Sequence, residues 1–244
     1  MPHLGSGTVR HVLTTGSYVS PGLPHPAGIV IVIIITSNQP TMNPEETPPC
    51  RRSDIVCIGA GLSAIALGAR LRLRHPAITI HFYDRNSSIG GTWYVNTYPG
   101  CACDVPSALY SFAFAPNPSW SCMNPSQAEI KAYADGVASE YGIPERATLG
   151  AEVVRCVWDE SRRRWRVVVR SVQGGEEWEH ECRILFSAAG GLVDPNVPKF
   201  DGMKEFRGKM FHSARWDHGV DISGKKVVVV GSGCRCFLQP QQVL

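Results

Sequence analysis

The stretch DIVCIGAGLSAIALGARLRLRHP, residues 54–76, decides the fold of this 244-residue chain. Ile55-Val56-Cys57-Ile58 is short and wholly apolar, the pattern of a strand buried on both faces of a parallel sheet. Gly59-Ala60-Gly61 makes the turn, and the spacing predicts a helix over 62–74. Arg70, Arg72, Arg74 and His75 gather at its C-terminal end, where the helix dipole favours positive charge, and Pro76 stops it. Ala77–Tyr83 reads as a second strand, so the segment opens a right-handed βαβ unit.

The turn carries the first chemistry. Gly59, Gly61 and Ala64 form a GxGxxA loop between strand and helix. In such a loop the first glycine permits the tight turn and the second lets a pyrophosphate touch the backbone. The small third residue keeps the helix close to the sheet, and the helix N-terminus offers N–H groups to the phosphates. A glycine turn alone could serve only to pack helix on strand. Here Asp84 stands at the end of the second strand, 23 residues past Gly61 (84 − 61), where a carboxylate can accept from ribose hydroxyls.

Beyond Asp84 the pattern leaves that of a plain dehydrogenase. Ser88-Ile89-Gly90-Gly91-Thr92-Trp93-Tyr94 and Tyr98-Pro99-Gly100-Cys101-Ala102-Cys103-Asp104 are glycine-rich loops where another helix–strand unit would ordinarily follow. Ser126–Tyr141 reads as a helix, with Ser126 and Glu129 at capping-box spacing. Glu152–Trp158, Trp165–Val172 and Glu177–Phe186 read as consecutive strands with short turns, an antiparallel meander. Lys225–Val230 reads as a further buried strand, leading into Gly231-Ser232-Gly233. The fold class expected is α/β: a Rossmann-like FAD-binding domain, with a parallel sheet and an antiparallel meander, followed by the start of a second dinucleotide-binding domain.

Composition narrows the function. Hydrophobic content of 43%, charged content of 18% and a net charge of +3 fit a globular protein. The basic run Arg162-Arg163-Arg164 lies between Trp158 and Trp165 and reads as a solvated hairpin turn, so no nucleic-acid partner is expected. Nine scattered cysteines, without a CxxC pair, argue against a zinc site and against a disulfide framework, so no metal is expected. The apolar run Ile29–Ile35 is far short of the ~20 residues that span a bilayer. No membrane span and a cytoplasmic setting are the expectation. Residues 1–50 hold many prolines and almost no charge and read as a disordered N-terminal extension, with translation expected to begin at Met42.

Two longer stretches carry a resemblance. GGTWYVNTYPGCACDVPSALYSFAF (residues 90–114) and FRGKMFHSARWD (residues 206–217) resemble the flavin-containing monooxygenase superfamily, specifically its Baeyer–Villiger monooxygenases. The second stretch matches that family's FxGxxxHxxxW signature, followed by Pro or Asp, at Phe206, Gly208, His212, Trp216 and Asp217. The likeness runs from about Ser53 to Gly233.

The resemblance implies roles by position. Gly59, Gly61 and Ala64 would bind the FAD pyrophosphate, and Asp84 the adenosine ribose, where the family more often has Glu. Thr92, Trp93, Tyr94 and Val95 would line the flavin side; Tyr110 and the Val153 backbone would contact the cofactor. Asp104 corresponds to the aspartate near the flavin ring, and Ala102, Cys103 and Asp104 lie where NADPH reaches toward it. His212 and Trp216 belong to a linker that governs domain movement, and an imidazole and an indole at i and i+4 suit a hydrogen-bonded hinge. Gly231 and Gly233 would begin the NADPH site.

The family's activity is FAD- and NADPH-dependent insertion of one oxygen atom from O2 next to a carbonyl, through a flavin peroxide. Its partners are thus O2 and a small ketone or aldehyde; a related branch oxygenates nitrogen or sulfur instead. Cys236 stands where a small residue should follow Gly231-Ser232-Gly233, Pro240 falls within the expected helix, and thirteen residues follow Gly231. A βαβ unit takes roughly 30 residues. The expected domains are therefore 51–220 for an incomplete FAD-binding domain and 221–244 for a truncated NADPH-binding start, in a chain expected to have no turnover of its own; the alternative is a non-catalytic FAD-binding remnant. No counterpart of the family's active-site arginine is expected within these residues.

Overall fold

The structure is a computed structural model and describes residues 50–191, 193–199 and 201–231. The expectations for residues 1–49, for Gly233 and for Cys236 and Pro240 fall outside the described residues. Two compact units make up the chain. One comprises Met1–Ile89, described from Cys50, with Tyr141–Ala189; the other comprises Gly90–Glu140 and Gly190–Leu244.

The first unit contains a six-stranded sheet. Its strands are β1 (Arg51–Ile58), β2 (Ile80–Asp84), β3 (Ala147–Leu149), β4 (Ala151–Asp159), β5 (Arg164–Ser171) and β6 (Glu177–Ser187). The order is β3-β2-β1-β6-β5-β4. β3, β2, β1 and β6 run parallel, whereas β6, β5 and β4 form the antiparallel meander. β6 belongs to both parts: His180, Glu181 and Cys182 pair with β1 on one side and β5 on the other.

Helix α1 (Leu62–Arg74) covers one face, and the meander packs over the other. Alternation along β2 divides the two contacts. Phe82 meets α1 at Gly68, where an added Cβ would stand 2.8 Å from the Phe82 ring and 2.5 Å from Ile143. Tyr83 instead joins Val56, Trp165, Val167 and Val169 in the core beneath the meander.

Beside that core lies a directed hydrogen-bond chain. Trp178 Nε1–H donates to the Tyr83 hydroxyl over 3.3 Å, and Tyr83 lies 2.8 Å from His180 Nδ1. His180 Nε2 lies 2.9 Å from Ser53 Oγ, whose proton goes to the Ile55 carbonyl at 2.8 Å. With both ends fixed, His180 is neutral and protonated at Nε2. Burial pushes its pKa, and that of neighbouring His81, down to about 4. His81 is anchored to Thr148 Oγ1 at 2.8 Å.

The second unit is built on α3 (Gln127–Glu140), with a one-turn helix α2 (Thr92–Val95) docked on it. Gln127 Nε2 donates to the Trp93 carbonyl. Ser126 Oγ accepts from Glu129 N–H at 3.3 Å, but the Glu129 carboxylate binds Ser121 N–H and Oγ–H instead of returning to Ser126. The capping box is therefore half formed.

Two sequence expectations need correction. Lys225–Val230 is not a strand: it pairs with no strand among the described residues, and Val228 is 85% exposed. β-propensity reflects packing against neighbours, so a run of valines forms no strand where no partner lies alongside. Ala77 and Ile78 precede β2 because Ile78 N–H turns back to the His75 carbonyl.

Candidate functional site

The glycine loop lies in the first unit, between β1 and α1. Gly59 adopts φ +98°, and an added Cβ would stand 2.5 Å from the Ala188 carbonyl oxygen. Glycine is thus required twice, by the turn and by close approach to the chain leaving β6. Gly61 is the N-cap of α1 and brings no side chain to the first-turn N–H groups, which leaves those donors for an anion. Ala64 is fully buried and lets the helix sit down on the sheet.

Asp84 sits against this loop. Its Oδ2 accepts from Ala60 N–H at 2.8 Å, and Oδ1 accepts from both Asn86 N–H and Asn86 Nδ2–H at 2.8 Å. The residue is 7% exposed. The carboxylate expected at a ribose is therefore also the group that fixes the glycine loop. Val153 lies at a register shift in β4 where the ladder with β5 slips, and its side chain packs on the meander core. A backbone contact is what such a bulge leaves available.

The remaining cofactor candidates lie in the second unit. Gly90 (φ +119°) and Gly91 (φ +54°) make the turn into α2, and a Cβ on Gly90 would meet the Lys131 side chain at 2.8 Å. Lys131 pairs with Asp135 at 2.6 Å and stands 5.9 Å from the centre of the Tyr94 ring. Thr92, Tyr94 and Val95 are partly exposed, whereas Trp93 is buried. The Trp93 indole N–H donates to the Tyr110 hydroxyl at 3.0 Å, with the rings edge to face at 5.4 Å and 86°. Burial, eased by that bond, pushes the Tyr110 pKa up to about 12.

Asp104 is exposed, Ala102 is half-buried, and Cys103 is buried with its thiol pKa raised by desolvation. No disulfide joins the described cysteines, Cys101 and Cys103 among them. No group of three or more candidate metal ligands occurs among the described residues. Sequence reading passed over Asn96, 2% exposed, whose Nδ2 donates to the Thr92 carbonyl and helps close α2.

The signature residues of the second unit form local contacts. The Phe206 ring lies where a Cβ on Gly208 would be, 2.6 Å away, which accounts for glycine there. His212 Nδ1 accepts from Ala214 N–H at 3.0 Å and so caps the short turn Ser213–Arg215. Trp216 packs edge-on against Phe211 at 5.0 Å, and Asp217 Oδ1 accepts from Gly219 N–H at 3.0 Å. Each anchors its own turn. Gly231 has φ +142°.

A parallel sheet, a glycine turn closed by a strand-end carboxylate and an inserted antiparallel meander define a dinucleotide-binding α/β protein. Residues 57–123 match the NAD(P)-binding Rossmann-like domain, and residues 147–237 match the flavin-binding monooxygenase-like family. The chain is 44% identical to a Baeyer-Villiger monooxygenase of Streptomyces coelicolor over 180 residues, covering 73% of this chain and 33% of that protein. It is 36% identical over 181 residues to the FAD-binding monooxygenase tazF of Aspergillus terreus, covering 73% of this chain and 32% of that protein.

Among solved structures, an oxidized steroid monooxygenase bound to NADP superposes with a TM-score of 0.69 at 35% identity, over 79% of this chain and 36% of that one. A closed cyclohexanone monooxygenase gives 0.70 at 28%, over 80% and 36%. The chain is thus similar to the flavin-binding monooxygenase-like family over residues 147–237, and to Baeyer–Villiger monooxygenases over most of its own length. It spans about a third of the length of the relatives it matches. No helix among the described residues is long and apolar enough to cross a membrane.

Proposed function

We propose that the protein to which this chain belongs is an FAD- and NADPH-dependent monooxygenase of Baeyer–Villiger type, acting on a small organic ketone or aldehyde. The observation that carries this reading is the glycine loop with Asp84 closing on Ala60, set in a chain 44% identical to a Baeyer-Villiger monooxygenase. The loop geometry fits FAD: Gly59 excludes a side chain, α1 leaves its first N–H groups uncapped, and a carboxylate stands beside them.

On this reading residues 51–220 hold FAD, and the segment from 221 begins the NADPH-binding part. Gly61 and the first turn of α1 bind the pyrophosphate, and Asp84 accepts from the adenosine ribose. Thr92, Tyr94, Val95 and Tyr110 meet the flavin side, and the exposed Asp104 carries the negative charge offered there. When bound, FAD supplies the redox chemistry that couples NADPH oxidation to O2. The residues of this chain contribute binding, orientation and exclusion of water.

The test has two stages. Titration of the purified chain with FAD should quench flavin fluorescence to a one-to-one end point. The whole protein, given NADPH, a ketone panel and ¹⁸O₂, should yield an ester or lactone carrying one labelled atom. Absence of FAD binding, or label appearing only on nitrogen or sulfur, would overturn the reading.

A further inference from the structure

The start of β1 carries a polar cluster at the end of the strand away from the glycine loop. Arg51, His81, Thr148 and His180 lie on neighbouring strands of the first unit, with Arg51 in register with His180. Arg51 Nη1 donates to Thr148 Oγ1 at 3.4 Å, and His81 Nε2 lies 2.8 Å from the same oxygen. Thr148 thus joins a guanidinium to an imidazole. The His81 and His180 rings are 5.5 Å apart, and the guanidinium stands 5.3 Å over the Trp178 ring. Arg51 is exposed and His81 half-buried, so solvent reaches both. Among the described residues no carboxylate pairs with Arg51, whereas alternation sends Arg52 the other way, to Glu181 at 3.1 Å.

We propose that Arg51, His81 and Thr148 form a site for a doubly charged tetrahedral oxyanion, a phosphate or a phosphate monoester. The cluster has the donors and the positive charge for one, and lacks the carboxylate that would otherwise neutralise it. A guanidinium carries five N–H donors, of which the Thr148 bond uses one. With Nε2 of His81 on Thr148, its Nδ1 is left as the second donor. Burial and then the Arg51 charge keep His81 neutral at neutral pH. A bound dianion reverses the second cause, so binding draws a proton onto His81. The titratable groups facing His81 are Arg51 of β1, Tyr83 of β2 and His180 of β6, and β3 contributes Thr148, which does not titrate. None is a carboxylate. β1 spans eight residues before the glycine loop, roughly 25 Å at about 3.3 Å per residue, so this site is separate from the one proposed for FAD.

The test titrates the chain with sodium sulfate, against sodium chloride at matched ionic strength, and follows the His81 ring protons by NMR, with His81→Asn assigning them. Sulfate keeps both charges throughout, so any pH dependence belongs to the protein. Sulfate should raise the pKa of His81 from about 4 to about 6, and bind severalfold more tightly at pH 5.5 than at pH 7.5. Arg51→Gln should weaken sulfate about tenfold or more, the loss of a charge-assisted hydrogen bond, and Thr148→Val severalfold. Inorganic phosphate and phenyl phosphate separate the two sources. A site for monoesters holds phenyl phosphate at least as tightly as inorganic phosphate, and a site for free phosphate holds it less tightly.

Equal sulfate affinity for wild type and Arg51→Gln would overturn the proposal, because the anion would then sit elsewhere, at the uncapped first turn of α1 for example. So would a His81 resonance that titrates alike in sulfate and in chloride. Arg51 is exposed at the start of its strand, so Arg51→Gln leaves the core intact and remains informative even if Thr148→Val unfolds. The signal comes from His81 and needs no cofactor, so failure here leaves the FAD reading standing, and a chain that fails to bind FAD leaves this site untouched.

Discussion

The hydrogen-bond chain Trp178–Tyr83–His180–Ser53 makes stability depend on acid in a defined direction. His180 is 2% exposed, and burial lowers its pKa to about 4 from an ordinary 6.5. Above pH 6.5 neither folded nor unfolded chain binds a proton there. Between 6.5 and 4 the unfolded chain is protonated and the folded chain is not, so stability falls as pH falls. The linkage is about 1.4 kcal/mol per pH unit, or about 2 kcal/mol from pH 6.5 to 5 for His180 alone. His81, also lowered to about 4, adds in the same direction. Urea unfolding followed by tryptophan fluorescence at pH 7, 6 and 5 measures the slope. His180→Asn is less stable than wild type at pH 7, because Tyr83 and Ser53 lose their shared partner. Its deficit should shrink by about 2 kcal/mol by pH 5, because the variant has no imidazole to protonate. A deficit unchanged between pH 7 and 5 would refute the assignment of His180 as a neutral, Nε2-protonated residue.

Three substitutions test the glycine loop and the signature. Gly59→Ala combines a left-handed φ with a 2.5 Å approach to backbone that cannot swing away, and should cost about 3 kcal/mol in urea unfolding and abolish FAD binding. Asp84→Asn leaves one of three N–H donors without an oxygen, and should lower stability by about 1–3 kcal/mol and weaken FAD in a fluorescence titration. Gly208→Ala meets only the Phe206 ring, which is 61% exposed and free to move, so its thermal midpoint should shift by less than the equivalent of about 0.5 kcal/mol.

Local signals explain which elements were legible in the sequence. The helix Leu62–Arg74 is marked at both ends, by Gly61 and by His75-Pro76, and forms over that span. The meander is marked by alternation and turn residues, and its strands start and end within a residue or so of the expected places. β3 carries no such signal: Ala147–Leu149 becomes a strand because β2 lies beside it. β1 extends back to Arg51 through polar residues because β6 supplies partners from His180 onward. Lys225–Val230 is the converse, a strong strand sequence without a partner. The site shows the same division. The glycines and Asp84 were readable from spacing within one βαβ unit. Ser53, Tyr83 and His180 are brought together only by parallel register, and the Trp93–Tyr110 bond only by the fold of the loops between α2 and α3.

Asp84 shows why a strand-end carboxylate can serve structure and ligand at once. A carboxylate offers about four lone-pair positions. Oδ1 is filled by the two donors of Asn86, and Oδ2 holds only Ala60 N–H. The remaining capacity is on Oδ2, the same oxygen that holds the glycine loop. On the proposed reading, a ribose hydroxyl donating there shares its acceptor with the backbone of Ala60, one residue from the glycine that must approach the pyrophosphate. Loop conformation and ribose recognition are then set by one atom. A glutamate here would carry one more methylene between backbone and carboxylate. Aspartate keeps the carboxylate nearer the strand end, within 2.8 Å of Ala60 N–H, and favours the loop contact over reach. The aspartate therefore holds the loop in place before ligand arrives.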